Sequence, residues 1–133
     1  MIIPWLVVLA AVAPVQERSW VEIASAPGWI AYVDSASIKP LGDGLIEVWG
    51  KVQYDSPRVA STDVYDRQLT SYRVNCATSR LMQLQSLQYK GQALVRRTSG
   101  SSARRRWSGV GASSVRDATI RTACRLAANP STP

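Results

Sequence analysis

Apolar and polar residues alternate along six stretches of the chain, and the turn residues fall between them. Residues 19–24 (SWVEIA) alternate well enough for a first strand, closed by the turn dipeptide Pro27-Gly28, and residues 29–33 (WIAYV) give a second. In the segment Asp34-Ser35-Ala36-Ser37-Ile38, Asp and Ser side chains are placed to cap a single helical turn, with Asp34 accepting backbone N–H bonds, before Lys39-Pro40 ends it. Gly42-Asp43-Gly44 turns the chain into residues 45–54 (LIEVWGKVQY). This is the longest strand expected, with Ile46, Val48, Gly50 and Val52 on one face and Leu45, Glu47, Trp49, Lys51 and Gln53 on the other.

Residues 55–63 (DSPRVASTD) have the composition of a loop. Alternation resumes at residues 69–76 (LTSYRVNC), where Thr70, Tyr72, Val74 and Cys76 share a face, and continues at residues 80–89 (RLMQLQSLQY). Lys90-Gly91-Gln92 then turns the chain into residues 93–97. The period changes at the C-terminal end. Ser114 with Asp117 three residues later forms a weak capping box, Ile120, Ala123, Cys124 and Ala127 recur at helical spacing, and Asn129-Pro130 stops the run. The pattern therefore predicts an α+β fold: a single antiparallel β-sheet of about six strands with a C-terminal α-helix packed on it.

At 133 residues and 46% hydrophobic composition the chain suits one domain. Ahead of it, residues 2–13 form an apolar run of the length of a secretory-signal core and too short to span a bilayer, in which Ala11-Val12-Ala13 meets the small-x-small cleavage rule. The expected organisation is a signal peptide over residues 1–13, a domain over 17–128 and a disordered tail over 129–133. A buried N-terminal strand is the other reading of the apolar run. In an exported chain, Cys76 at the core side of a strand end and Cys124 on the apolar side of the helix are most simply a disulfide; in a reducing compartment they are two core thiols.

The net charge of +7 is concentrated in one third of the chain. Residues 1–89 carry 7 Lys/Arg against 8 Asp/Glu, whereas residues 90–133 carry 9 against 1. The sharpest cluster is Arg96, Arg97, Arg104, Arg105 and Arg106 beside Trp107. Arg forks match phosphate, sulfate and carboxylate, and a neighbouring Trp can stack on a sugar or base. Five Trp and five Tyr with no Phe favour interface chemistry, and Trp49, alongside Glu47 and Lys51, joins the candidate ligand-binding residues. A solvated loop is the simpler account of the cluster, and packing under the helix is the simpler account of Trp49.

The absence of His removes His-based catalytic relays and His-rich metal sites, and two Cys cannot complete a tetrahedral zinc site. No nucleophile elbow or Ser-x-x-Lys stretch occurs. Asp63 and Asp66, the nearest carboxylate pair, read as solvated loop charges between Arg58 and Arg67. No catalytic residue, metal or cofactor is expected.

In their order along the chain, several residues resemble the surface-adhesin protein E family of small exported bacterial proteins. They are Trp20, Tyr32-Val33-Asp34 with Ser37-Ile38, Val48-Trp49 with Lys51 and Tyr54, and Tyr72-Arg73-Val74-Asn75-Cys76 with Arg80, followed by Tyr89 with Gly91, Trp107, Ser113 and Ala123-Cys124. The resemblance implies an antiparallel sheet with a C-terminal helix held across it and a Cys76–Cys124 bridge. Characterised members look like adhesins that bind host extracellular-matrix and serum proteins, and some are dimeric. This chain lacks the lipobox Cys of the lipoprotein members and has Gly111-Ala112-Ser113 where they tend to have Pro-Gly-Ser.

Pattern and resemblance together give a non-enzymatic exported module, periplasmic, cell-surface or secreted, that binds an envelope or extracellular protein or an acidic glycan. A homodimer is compatible with this reading; a specific nucleic-acid partner and a membrane span in the mature chain are not expected. The alternative is a structural or accessory periplasmic protein acting through self-association or assembly.

Overall fold

The computed structural model describes residues 18–60, 62–99, 108–109 and 114–129. The expected leader over residues 1–13 and most of the expected tail, residues 130–133, lie outside them. The chain runs β1 (Trp20–Ala26), β2 (Trp29–Asp34), a one-turn 3-10 helix (Ser35–Ser37), β3 (Lys39–Gly42), β4 (Leu45–Ala60), β5 (Asp63–Asn75), β6 (Arg80–Lys90), β7 (Ala93–Ser99), β8 (Ser108–Gly109) and α1 (Ser114–Ala128). Six strands pair in the order β1-β2-β4-β5-β6-β7, all antiparallel, while β3 pairs with β4 and β8 with β6. Four of the five steps along this order are therefore short connections, and only the step from β2 to β4 carries an insertion.

That insertion is held by hydrogen bonds. Asp34, 3% exposed, accepts from Ser19 N at 2.8 Å and from Ala36 N at 3.0 Å, as its position at a turn predicts. Ser37 Oγ donates to the Asp34 carbonyl at 2.7 Å and accepts from Trp49 N at 2.9 Å, so the 3-10 turn bridges the gap between β2 and β3 along the same edge of β4. Gly42, Asp43 and Gly44 then turn the chain with three successive positive φ values of 90°, 56° and 77°, a path that two glycines make accessible.

The hydrophobic core lies on one side of the sheet. Val33, Ile46, Val48, Val74 and Leu81 meet Ile120 and Ala123 of α1, with Val21, Ile23, Ile38 and Tyr72 at the rim. Burial at helical spacing rather than propensity places α1 here, and Arg121 and Arg125 stay exposed on its outer side. Cys76, directly after β5, is bonded to Cys124 on α1, their Cα atoms 5.7 Å apart. The two cysteines are thus a disulfide rather than two core thiols.

Residues 55–63 depart from the loop that their composition predicts. β4 runs on to Ala60 and β5 begins at Asp63, with Arg58 opposite Tyr65, Val59 opposite Val64 and Ala60 opposite Asp63. A bulge between Gln53 and Arg58 absorbs the Asp-Ser-Pro segment. The last pair of β2 with β4 is Trp29–Tyr54, and the first of β5 with β6 is Arg67–Tyr89, so this arm projects past its neighbours. Pro57 falls within the bulge, and among the described residues no further strand pairs with the arm.

Candidate functional site

Strand alternation puts Trp20, Tyr32, Trp49, Lys51, Arg67, Leu69 and Arg73 on the face opposite Val33, Val48 and Val74. α1, the single helix of more than one turn among the described residues, packs on the Val48 side. Trp49 therefore does not lie under the helix. It is half-buried on the opposite face, where β1, β2, β4 and β5 bring together aromatic rings and cations.

The contacts form a ladder. Arg18 lies 5.5 Å from the centres of both the Trp20 and the Trp49 rings. Lys51 Nζ is 4.5 Å from the Trp20 ring centre and 4.8 Å from that of Tyr32, its direct partner across β2 and β4. Arg67 lies 4.6 Å from the Tyr89 ring and donates to the Gly91 carbonyl at 3.2 Å. Arg73 donates to Glu47 Oε1 at 2.8 Å, a direct cross-strand ion pair. Burial, then the nearby charges of Arg67 and Arg18, hold the Lys51 ammonium below its ordinary pKa of 10.5. Each cation–aromatic contact at such a partly exposed site contributes about 0.5–1 kcal/mol.

The residues expected to bind ligand are only partly brought together. Arg96 and Arg97 are exposed on β7, opposite Gln88 and Leu87 respectively, so adjacent positions send them to opposite faces. Arg97 belongs to the face of Lys51; Arg96 belongs to the other. Arg104, Arg105, Arg106 and Trp107 lie outside the described residues, although the residues flanking that segment are placed: Ser99 pairs with Gln85 and Ser108 with Leu81, both on β6. Asp63 and Asp66 belong to β5 rather than to a loop, and Asp66 Oδ2 accepts from Gly91 N at 3.0 Å, which fixes the β6–β7 turn. Arg18, Trp20, Tyr32, Lys51 and Arg67 escaped sequence reasoning because the ladder joins residues up to 49 positions apart. The usable signal was the repeated placement of an aromatic or a cation on the polar phase of successive strands.

A separate groove of about 510 Å³ is lined by Ser19, Ser35, Ala36, Ile38, Pro40, Leu126 and Ala127. Its described lining consists of hydroxyls and apolar groups. Among the described residues no three His, Cys, Asp or Glu side chains are grouped to hold a metal, and no helix is long and apolar enough to cross a membrane.

The surface-adhesin protein E family matches residues 20–125 of the chain. No curated protein matches it. Among solved structures, crystal form II of Haemophilus influenzae protein E superposes with a TM-score of 0.59 at 15% identity, over 86% of this chain and 94% of the other. The structure of the selenomethionine form of that protein gives 0.56 at 16% identity, over 89% and 94%. A further structure of H. influenzae protein E gives 0.56 at 16%, over 92% and 96%. At these identities the likeness is one of fold.

Proposed function

The chain belongs to the surface-adhesin protein E family, and on that premise we propose that it is an exported, non-enzymatic binding module of the bacterial surface or envelope that engages an extracellular partner through the sheet face opposite the helix. The observation that carries this reading is the ladder of Arg18, Trp20, Tyr32, Trp49 and Lys51 on a face over which α1 does not pack. Trp, Tyr and Arg are the side chains that concentrate binding energy at interfaces, because each combines a large contact area with a polar group. Family membership and the apolar run at residues 2–13 support export, and the bridge between Cys76 and Cys124 fits an oxidising compartment. The run Arg104, Arg105, Arg106 and Trp107 adds the densest positive charge of the sequence to this role.

Two experiments test the reading. Mass spectrometry of the protein from fractionated native cells is expected to find a trimmed, oxidised chain outside the cytoplasm; an intact, reduced, cytoplasmic chain refutes export. Purified protein is expected to bind immobilised basement-membrane extract, with binding lost when Trp20 and Trp49 are both changed to Ala and salt sensitivity lost when Arg104, Arg105 and Arg106 are changed to Ser. Binding unchanged by both sets of substitutions removes the face and the basic segment from the site. An accessory protein that acts by self-association would instead show its variants' effects in sedimentation.

A further inference from the structure

Among the described residues, two cations of the ladder, Arg18 and Arg73, face carboxylates, and two, Lys51 and Arg67, do not. Glu47 is held by Arg73 at 2.8 Å. Asp34 gives one oxygen to Ser19 N and Ala36 N and stands 3.5 Å from Arg18 with the other. Lys51 has no carboxylate partner among the described residues; the Trp20 and Tyr32 rings hold its ammonium. Aromatic faces attract a cation without neutralising it, and they leave its N–H donors to find acceptors elsewhere. Arg67 is likewise set against a ring and a neutral carbonyl.

The register arranges these charges in a line. Lys51 pairs with Leu69 and Gln53 with Arg67, so Lys51 and Arg67 are diagonal neighbours on one face, about 7–8 Å apart at the backbone. The row through Lys51 continues as Leu69, Leu87 and Arg97 across β5, β6 and β7, which places Arg97 three strand spacings, about 14 Å, from Lys51. Between them Leu69 is only 7% exposed and Leu87 is half-buried, so the cations flank a narrow, mostly covered apolar floor.

We infer that this track, Arg18, Lys51, Arg67 and Arg97, binds a linear acidic polysaccharide laid across the strands, with one sulfate or carboxylate seated on Lys51 between Arg18 and Arg67 and another on Arg97. The inference rests on the reading of the chain as an extracellular binding module and names its ligand class. Single-stranded nucleic acid would need bare ring faces for base stacking, and those of Trp20, Trp49 and Tyr32 already carry the protein's own cations. An anion on Lys51 replaces lost hydration with charge-assisted hydrogen bonds and opposes the repulsion from Arg18 and Arg67.

The test measures binding of the whole protein to immobilised heparin, which bears sulfate and carboxylate, to hyaluronan, which bears carboxylate alone, and to heparinase-treated basement-membrane extract. Two lost charge-assisted contacts make K51Q/R67Q at least about tenfold weaker on heparin, whereas K90Q, which removes a charge at the β6–β7 turn, leaves binding within about twofold, and the charge-keeping K51R/R67K retains most of it. Hyaluronan binding with the same pattern assigns the site to carboxylate, and heparin binding alone assigns it to sulfate; both support the track. Equal weakening by K90Q overturns it, as does displacement of heparin by oligo-dT or polyglutamate at equal charge. Binding to the treated extract without binding to heparin or hyaluronan overturns the ligand class and leaves the adhesin reading standing. Binding to none of them overturns both.

Discussion

The ring of Tyr72 lies across the backbone of Gly50: a Cβ at position 50 would stand 3.0 Å from Tyr72 Cε2 and 3.4 Å from the Tyr32 carbonyl. Gly50 is buried in the middle of β4, and Tyr72 reaches it diagonally from the Val48–Tyr72 pair. An aromatic ring folded over a strand glycine covers backbone that would otherwise be exposed. Gly50→Ala is expected to destabilise the protein by about 1–3 kcal/mol through overpacking. The cost shrinks in a Tyr72→Leu background, a coupling that a denaturant-melt double-mutant cycle measures.

The same tyrosine sets an alkaline limit. Burial raises the Tyr72 pKa above its ordinary value of 10.0, with a hydrogen bond to Thr70 acting in the opposite direction. The folded protein therefore holds this proton more tightly than the unfolded chain does. The associated stability is complete below the unfolded pKa near 10 and is lost as pH rises from there through the folded value. Chemical melts from pH 9 to 12 are expected to show wild-type stability falling more steeply with pH than that of Tyr72→Phe.

Cys76 and Cys124, 48 positions apart, tie β5 to α1. Closing a loop of that length in the unfolded chain contributes about 4 kcal/mol in the chain-entropy treatment. Cys76→Ala with Cys124→Ala is expected to lower stability by roughly that amount, and reduction of the native protein to do the same. In hydrogen exchange the amides of α1 lose protection before those of β4 and β5, whose ladder does not depend on the bond.

Asp34→Ala strips the partner from Ser19 N and Ala36 N and leaves Arg18 without its carboxylate. A loss of about 2 kcal/mol follows from two charge-assisted bonds at the sheet margin. Because Arg18 also stacks on Trp20 and Trp49, tryptophan fluorescence is expected to shift in the folded variant. Asp34→Asn, which keeps an acceptor but not the charge, falls between the two.

Much of the fold was legible because hydrophobic alternation and turn chemistry agree. Pro27-Gly28, Gly42-Asp43-Gly44 and Lys90-Gly91 mark the turns, and the spacing of Ile120, Ala123 and Ala127 marks the helix. The arm was not legible: Asp55, Ser56 and Pro57 disfavour a strand locally, and cross-strand pairing with Val64 and Tyr65 overrides them. β3 was hidden in the same way by Pro40. Trp49 was visible as a candidate, but its surroundings were not, since Arg18, Trp20 and Tyr32 reach it only through sheet register. The run Arg96-Arg97, a single cluster in the sequence, is divided between two faces by a period of two.

The arm of residues 58–60 and 63–65 is anchored on one side of its bulge and, among the described residues, pairs only with itself beyond it. Lengthening or shortening it by a matched pair of residues changes no register elsewhere in the sheet. Selection can therefore rewrite the tip, where Val59 stands 70% exposed, while leaving the charged face and the helix-covered face untouched. In lineages that carry this fold, the arm is where length and sequence should drift fastest, and where a foreign epitope could be inserted with least disturbance to the rest.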